Sequence, residues 1–484
     1  MIGKKPDFTK VAIVAAAVLF AAGCSVGPDY REPALAVPAA WKEAQQEGVS
    51  AQPAELVDWW NEFKDPALDS LILNAVKSNL DLRVAEARLR EARAALGAAG
   101  ADLWPTVDVS GSYTRHRASE NAVGSPAQGA PLAQAAGRQL EQNLFRTGFD
   151  AGWEIDVFGG ARRRIEAAEA NLGASVEERR GVLVTLLGEV AKNYIDLRGF
   201  QRRLAVAESN LELQRETLRL TKIRFDAGLA SDLDVAQAEG QAAATAAQIP
   251  VLQSGLKQAA YSLDLLVGAQ PGTLSGELGN AAPIPALPPE ARVGLPAELL
   301  RRRPDIRRAE RQLAAATAQV GAATADLYPK FSLLGTFGLQ SISASDWFTA
   351  QSRFWSIGPT IRWPIFDAGR IRANVEIRSA QQEQALGLYE KSVLTALQEV
   401  ESALANYGNE QVRYRSLVAA VAASRRAVDM ANDLYIQGLL PFLNVLDAQR
   451  NLNAAERDLA QSEANMASNL VVLYKALGGG WQTD

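Results

Sequence analysis

At 484 residues the chain is long enough for two or more domains, and its 48% apolar and 22% charged residues are the composition of a folded protein. A formal net charge of −5 offers no basic surface, so no nucleic-acid partner is expected. One cysteine and one histidine exclude a disulfide framework and a Cys/His metal site, so no metal cofactor is expected either.

Residues 1–23 read as a signal peptide. Lys4, Lys5 and Lys10 form a basic start, and Val11 to Ala22 is an apolar run too short to span a bilayer. The run ends in Ala21-Ala22-Gly23-Cys24, small residues before the only cysteine, as in a bacterial lipobox whose cysteine is lipidated and becomes the first residue. Ala21 stands where Leu is usual; an ordinary signal peptide with a chance cysteine is the alternative. No later run of 18 apolar residues follows, so a mature chain that crosses a membrane must do so with strands.

The remainder is a tandem repeat. Asp81 to Pro105 (DLRVAEARLREARAALGAAGADLWP) matches Asp305 to Pro329 (DIRRAERQLAAATAQVGAATADLYP) at an offset of 224, and Phe225 to Glu239 matches Tyr435 to Gln449 at an offset of 210. The first copy carries 14 extra residues, assigned to an exposed Ala/Gly/Ser/Pro/Gln-rich loop, Ala118 to Gln139. Repeat 1 covers 81–268: a helix, a β-hairpin at about 105–158 and a long helical hairpin at about 160–268. Repeat 2 covers 301–478: a helix, a β-hairpin at about 329–366 and a helical hairpin at about 369–478. Residues 269–300 form a Pro/Gly-rich linker and 479–484 a short tail.

Each repeat opens with a helix of about 20 residues and then changes to period two. Phe149, Ala151, Trp153, Ile155 and Val157 alternate with Asp150, Gly152, Glu154 and Asp156, and Trp355, Ile357, Pro359, Ile361 and Trp363 alternate with Ser356, Gly358, Thr360 and Arg362. Such segments suit tilted membrane strands with aromatics near their ends, although a soluble sandwich has the same alternation. Four strands cannot close alone, and an open edge is forbidden in lipid, so spanning strands require several chains in one barrel.

Heptads follow. Val176, Leu183, Val190, Leu197, Leu204, Leu211, Leu218 and Phe225 recur every seventh residue, as do Leu386, Val393, Val400, Tyr407, Tyr414, Val421, Val428 and Tyr435. This predicts coiled-coil packing of very long helices; residues 161–225 alone would extend roughly 95 Å at about 1.5 Å per residue. The complementary positions (Tyr194, Gln201, Glu208) are less apolar, which points to a wide assembly with a wet interior. Gly228 and Gly438 are the tip turns of the two helical hairpins, and Pro250 predicts a kink in one returning helix. Arg301-Arg302-Arg303-Pro304-Asp305 is read as a helix start with solvated arginines rather than a binding patch.

Together the lipobox, Gly27-Pro28-Asp29-Tyr30, Trp59-Trp60, Arg302-Arg303-Pro304-Asp305 and Pro364-Ile365-Phe366-Asp367-Ala368-Gly369-Arg370 resemble the outer-membrane factors of resistance-nodulation-division (RND) efflux systems, OprM- and NodT-like lipoproteins of the TolC superfamily. The resemblance implies a mainly α fold with a membrane β-barrel portion. A homotrimer would build a 12-stranded barrel in outer-membrane lipid and a long periplasmic α-helical barrel. Residues 24–80 would then be the lipid-anchored segment and start of an equatorial region, to which 269–300 also belongs. The implied partners are a periplasmic adaptor (membrane fusion protein) and an inner-membrane RND pump; the implied modification is diacylglycerol and N-acyl lipid on Cys24, with Ser25 compatible with the outer membrane. Leu443 and Asp447 match an apolar and an acidic ring at a closed periplasmic gate. Asn444 stands where similar proteins carry a second acid. Tyr435 and Asp234 match helix-tip ties, whose basic counterpart falls on Leu440. Leu443 and Tyr435 also suit coiled-coil core, and Asp447 a solvated helix acid. The resulting expectation is a non-enzymatic passive exit duct for small molecules. A channel for protein secretion and a lipid-anchored periplasmic coiled-coil adaptor are the alternatives.

Overall fold

The structure is a computed structural model that describes residues 25–43, 48–50, 52, 56–117 and 141–482. Cys24, the signal peptide and the loop Ala118 to Gln139 lie outside the described residues. The main helices are α1 (Pro66–Ser78), α2 (Leu80–Ala101), α3 (Gly160–Asp226), α4 (Asp232–Ala246), α5 (Gln248–Leu266), α6 (Pro304–Ala325), α7 (Arg370–Ile436) and α8 (Phe442–Ala476). The strands are β1 (Val49–Ser50), β2 (Thr106–Arg117), β3 (Glu141–Ile155), β4 (Ala291–Arg292), β5 (Lys330–Ser341) and β6 (Arg353–Arg362). No described helix is long and apolar enough to cross a membrane. The chain divides into two units, with α2, α3, α6 and α7 contributing residues to both.

One unit comprises residues up to Glu32, Glu91–Leu172 and Arg311–Leu386. Its centre is an antiparallel sheet in the order β2-β3-β5-β6. The register brings Val109, Phe149, Phe337 and Trp355 side by side on one face, with Val107, Ala151, Gly335 and Ile357 in the next row. Asp108, Asp150, Thr336 and Ser356 form the corresponding row on the other face. The alternation written in the sequence is therefore a sheet with one apolar and one polar face, and β2 and β6 are its unpaired edges.

Both hairpins are fastened to the preceding helix in the same way. Trp153 Nε1 donates to Leu103 O at 2.9 Å, and Trp363 Nε1 donates to Leu327 O at 3.1 Å. The segment just beyond Cys24 is held by buried Arg163, which donates to Val26 O (3.2 Å), Asp29 (2.6 Å) and Glu166 (2.7 Å). Gly27 has φ +88°, and a Cβ there would stand 2.5 Å from the Gly321 Cα, so backbone lies directly on backbone. At the entrance to α7, Asp367 accepts from the amides of Gly369 (3.0 Å) and Ile371 (2.7 Å) and caps the helix.

The other unit comprises Pro33–Arg90, Gly173–Glu310 and Gly387–Asp484. Of the sixteen heptad residues, all but Phe225 are buried or half-buried. Gln201 is not wetted: it is 6% exposed, and its amide donates to Leu278 O (2.8 Å) and Asn280 O (3.2 Å), so that heptad position holds the linker between the repeats. The linker also contributes β4, which pairs in parallel with β1. Trp59 is 1% exposed, with its ring 5.5 Å from that of Tyr474, whose hydroxyl donates to Glu62. Asp65 caps α1 and accepts from the Tyr194 hydroxyl at 2.8 Å.

α4 and α5 are parted at Ala247, three residues before Pro250, whose missing N–H cannot donate to the carbonyl four residues back. Its repeat-equivalent Ala460 lies inside the unbroken α8.

The arginine run differs from the sequence expectation. Arg302 pairs with Glu298 at 3.2 Å and Arg307 with Glu177 at 2.9 Å. Arg303 is 7% exposed and grips Asp305 (2.6 Å), Glu399 (2.7 Å) and Ala476 O (2.9 Å), joining α6, α7 and the end of α8. Burial opposes both charges, yet the hydrogen bonds and ion pairing hold the Asp305 carboxyl below and the Arg303 guanidinium above their ordinary values. Solvation of Arg303 was the wrong expectation because the helices that bury it are distant in sequence. Arg303→Ala should lower stability by about 2–3 kcal/mol, less than for a fully buried pair because Asp305 and Glu399 stay half-exposed. Since a lowered carboxylate pKa stabilises in full above the unfolded value of about 4 and loses that contribution as pH falls from there through the lower folded value, the gap between variant and wild-type melting temperatures should narrow below about pH 4.

Candidate functional site

The sequence places its candidate gate at the two turns of the helical hairpins. Both turns close with the same backbone chemistry. In the first, Gly228 donates to Phe225 O (2.8 Å) and Leu229 to Arg224 O (2.7 Å); in the second, Gly438 donates to Tyr435 O (2.9 Å) and Leu439 to Leu434 O (2.9 Å). These are Schellman closures, and they need a left-handed residue: Gly228 has φ +73° and Gly438 φ +76°. Returning helix α4 starts with a capping box, in which Ser231 Oγ accepts from Asp234 N (3.2 Å) and the Asp234 carboxylate accepts from Ser231 N (2.9 Å). Returning helix α8 starts behind Pro441, which supplies a fixed φ instead of a side-chain cap.

The two tips share one apolar core of Ala238, Ala431, Tyr435, Phe442, Val445 and Leu446. Full burial of Phe442, Val445 and Leu446 contributes about 1.5–3 kcal/mol each. It also fixes the rotation of α8, so that Leu443 (57% exposed), Asn444 and Asp447 lie on the opposite, solvent face of its first two turns. Leu443 and Asp447 are one helical turn apart on that face. Its repeat-equivalent in α4, Leu233, is 65% exposed, and Leu229 and Leu439 in the turns are 65% and 66% exposed. The four tip leucines thus present apolar surface that the single chain leaves uncovered.

Tyr435 and Asp234, both matched to ties, are not brought together by hydrogen bonding in the chain. The Asp234 carboxylate is engaged by its own helix start. Tyr435 is 5% exposed and packs against Phe442 with ring centroids 5.5 Å apart. Its other neighbour is Arg224, which the sequence reading did not select. The Arg224 guanidinium lies 4.7 Å from the Tyr435 ring centroid and donates from Nη1 to Ile436 O at 3.1 Å. A last-turn cation thereby serves the carbonyl ends of α3 and α7 together, and the available sequence signal was its place one turn before Gly228. Among the described residues no cluster of His, Cys, Asp and Glu could hold a metal.

Residues 71–269 and 295–479 match the family described as outer membrane efflux protein. The chain belongs to that family. The two matched segments enclose residues 81–268 and 301–478, and the break between them falls within 269–300. The chain is 33% identical to nodulation protein T of Rhizobium leguminosarum bv. trifolii, over 96% of each chain. It is 34% identical to the toluene efflux pump outer membrane protein TtgI of Pseudomonas putida, over 97% of this chain and 98% of the relative. A solved structure of the outer-membrane channel OprN superposes with a TM-score of 0.87 at 38% identity, covering 95% of this chain and all of that one. The fold is therefore that of TolC-like outer-membrane channels, and the protein is an outer-membrane efflux channel.

Arg224→Ala removes a charged hydrogen bond and a cation–π contact, so the tips should lose about 2 kcal/mol of local stability. Hydrogen exchange of the backbone amides at 432–440 should quicken accordingly, with Arg224→Lys recovering part of the protection; unchanged exchange would remove Arg224 from the tip.

Proposed function

We propose that the protein is the exit duct of a tripartite pump, a homotrimer that works with a periplasmic adaptor and an inner-membrane RND transporter, is anchored by lipid on Cys24, and catalyses no reaction. The observation that carries this reading is the sheet: one apolar face, one polar face and two unpaired edges. In lipid each unpaired edge group costs several kcal/mol, and joining β6 of one copy to β2 of the next removes both edges in a closed ring of twelve strands. The apolar face then meets lipid and the polar face lines a water-filled duct. The TtgI relative, named for toluene efflux, favours small solutes as cargo over a secreted protein. The adaptor alternative has no use for such a sheet.

The gate we assign is the ring of Leu443, Asn444 and Asp447. Exposed Leu443 and Asp447, one turn apart, would meet their symmetry copies about a threefold axis. Three leucines would exclude water, while three carboxylates would bind cations and repel anions. With Asn444 in place of a second acid, the ring carries one negative charge per chain at that level. Tyr435, seated on Arg224, holds the second tip to the first, and release of that seat would let the ring widen. Asp234 acts through the cap of α4, which sets where Leu233 points.

Single-channel conductance of the purified trimer in a planar bilayer tests the assignment. Wild type should be nearly closed and Leu443→Ala/Asp447→Ala open; equal conductance would remove the gate and leave the channel. The anchor is tested by extraction. Cys24→Ser should still require detergent because the barrel remains in the membrane, whereas release by salt or carbonate would show that lipid alone had held the protein.

A further inference from the structure

The strands also carry charge where the channel reading alone does not call for it. On the apolar face, the inner stretch of each strand contains no charged side chain: Val107 to Tyr113 in β2, Ile155 to Phe145 in β3, Phe331 to Leu339 in β5 and Ile361 to Trp355 in β6. At the end remote from the helices the same face changes abruptly. Arg115 follows Tyr113 by two residues and pairs across the strands with Asn143; Arg117 follows by two more and pairs with Glu141; Arg353 precedes Trp355 by two and pairs with Leu339. A two-residue step keeps a side chain on the same face, so all three guanidinium groups belong to the apolar side. Arg115 is 65% exposed along its side chain, and Arg117 and Arg353 are exposed. Glu141 is the one acid on this face among the described strand residues, and it takes Arg115 at 2.7 Å.

Their height is fixed by the lower end of each hairpin. Trp153 and Trp363 are held at the helix-bearing end by their bonds to Leu103 O and Leu327 O. Asn143, beside Arg115, lies ten residues above Trp153, and Arg353 lies ten residues above Trp363. Ten residues at about 3.3 Å each, tilted about 40°, climb about 25 Å, which is the height of the apolar band of a membrane barrel. The arginines therefore stand at the far boundary of the hydrocarbon, the level of headgroup phosphates rather than of acyl chains or bulk water. Arginine suits that position because its planar fork binds phosphate oxygens in pairs and its stem can lie along the apolar face.

We propose that Arg115, Arg117 and Arg353 form a basic belt that binds the phosphate headgroups of anionic lipid in the outer leaflet. The proposal rests on the reading of the sheet as part of a membrane barrel. The phosphorylated glycolipid that fills the outer leaflet of a Gram-negative outer membrane has the required chemistry, since its phosphates sit directly on the acylated sugar. The belt would give the barrel a fixed depth: tryptophans hold the periplasmic boundary, and arginine–phosphate pairs hold the outer one.

The test is a titration of the purified full-length trimer in neutral detergent with bisphosphorylated lipid A, followed by the rise in melting temperature. The dephosphorylated lipid and inorganic phosphate serve as separate probes. Each arginine replaced, in Arg353→Gln, Arg117→Gln and the triple Arg115→Gln/Arg117→Gln/Arg353→Gln, should weaken binding of the phosphorylated lipid about fivefold. Lys330→Gln/Arg362→Gln, a pair at the opposite end of the strands, should leave it unchanged. The single variants keep the test decisive if the triple variant does not assemble. Equal binding by wild type and variants, or equal binding of the dephosphorylated lipid, would overturn the belt. Inorganic phosphate that raises the melting temperature as much as the lipid would overturn it in favour of a free anion. Conductance separates the two readings: variants that bind lipid like wild type yet form channels sink the belt alone, whereas a wild type that inserts into no bilayer sinks the barrel as well.

Discussion

An edge strand carries a row of N–H and C=O groups, and water can satisfy them where hydrocarbon cannot. In this chain β2 and β6 both present such rows, and the face between them is too apolar to sit in water without a partner. The only arrangement that satisfies both demands is closure through further copies. The tandem repeat supplies two hairpins per chain. The tryptophan–carbonyl bonds at Leu103 and Leu327 orient each β-hairpin on the end of the helix before it, and each β-hairpin runs on into a long helix, α3 or α7, that leads to a tip. Two hairpins per chain and closure of the barrel through further copies answer one hydrogen-bonding problem in lipid.

What could be read from the sequence was what repeats along it. The heptad residues from Val176 to Phe225 and from Leu386 to Tyr435 gave two long helices, and Gly228 and Gly438 gave their ends because only a residue free to take positive φ closes such a turn. The period-two segments gave the strands, and Pro250 gave the interruption between α4 and α5. What could not be read depends on contacts between segments far apart in sequence. Arg303 looks like one of several surface arginines until α7 and the end of α8 close over it. Gln201 looks like a wet coiled-coil position until the linker's Leu278 and Asn280 carbonyls reach it. Arg224 has no partner within its own helix that would mark it, since its acceptor is the last carbonyl of α7.

The tips show how a candidate gate can be both firm and ready to move. Phe442, Val445 and Leu446 bury the inner side of α8 and leave Leu443 and Asp447 no choice of direction. Against that, the polar ties between the two tips are few: Arg224 on the Tyr435 ring and the Ile436 carbonyl, and, further along, Gln449 to Thr217 and Arg450 to Gln241, each worth a few kcal/mol at most. The direction of Leu443 and Asp447 is thus set by the core, while the polar ties that join the tips beside that core are individually weak enough to be exchanged for others.

The break at Ala247 gives the two halves of the duplication unlike mechanical characters. α8 is a strut: each turn is bonded to the next from Phe442 to Ala476, and a load applied at one end is passed along the whole ladder. The α4–α5 arm is a strut with a joint, because one rung is missing where an imino acid replaces an amide. Two arms that began as copies, with matched length and heptad phase, therefore differ in bending stiffness through one residue. Torque at the second tip is transmitted along its arm, and torque at the first is taken up at the joint.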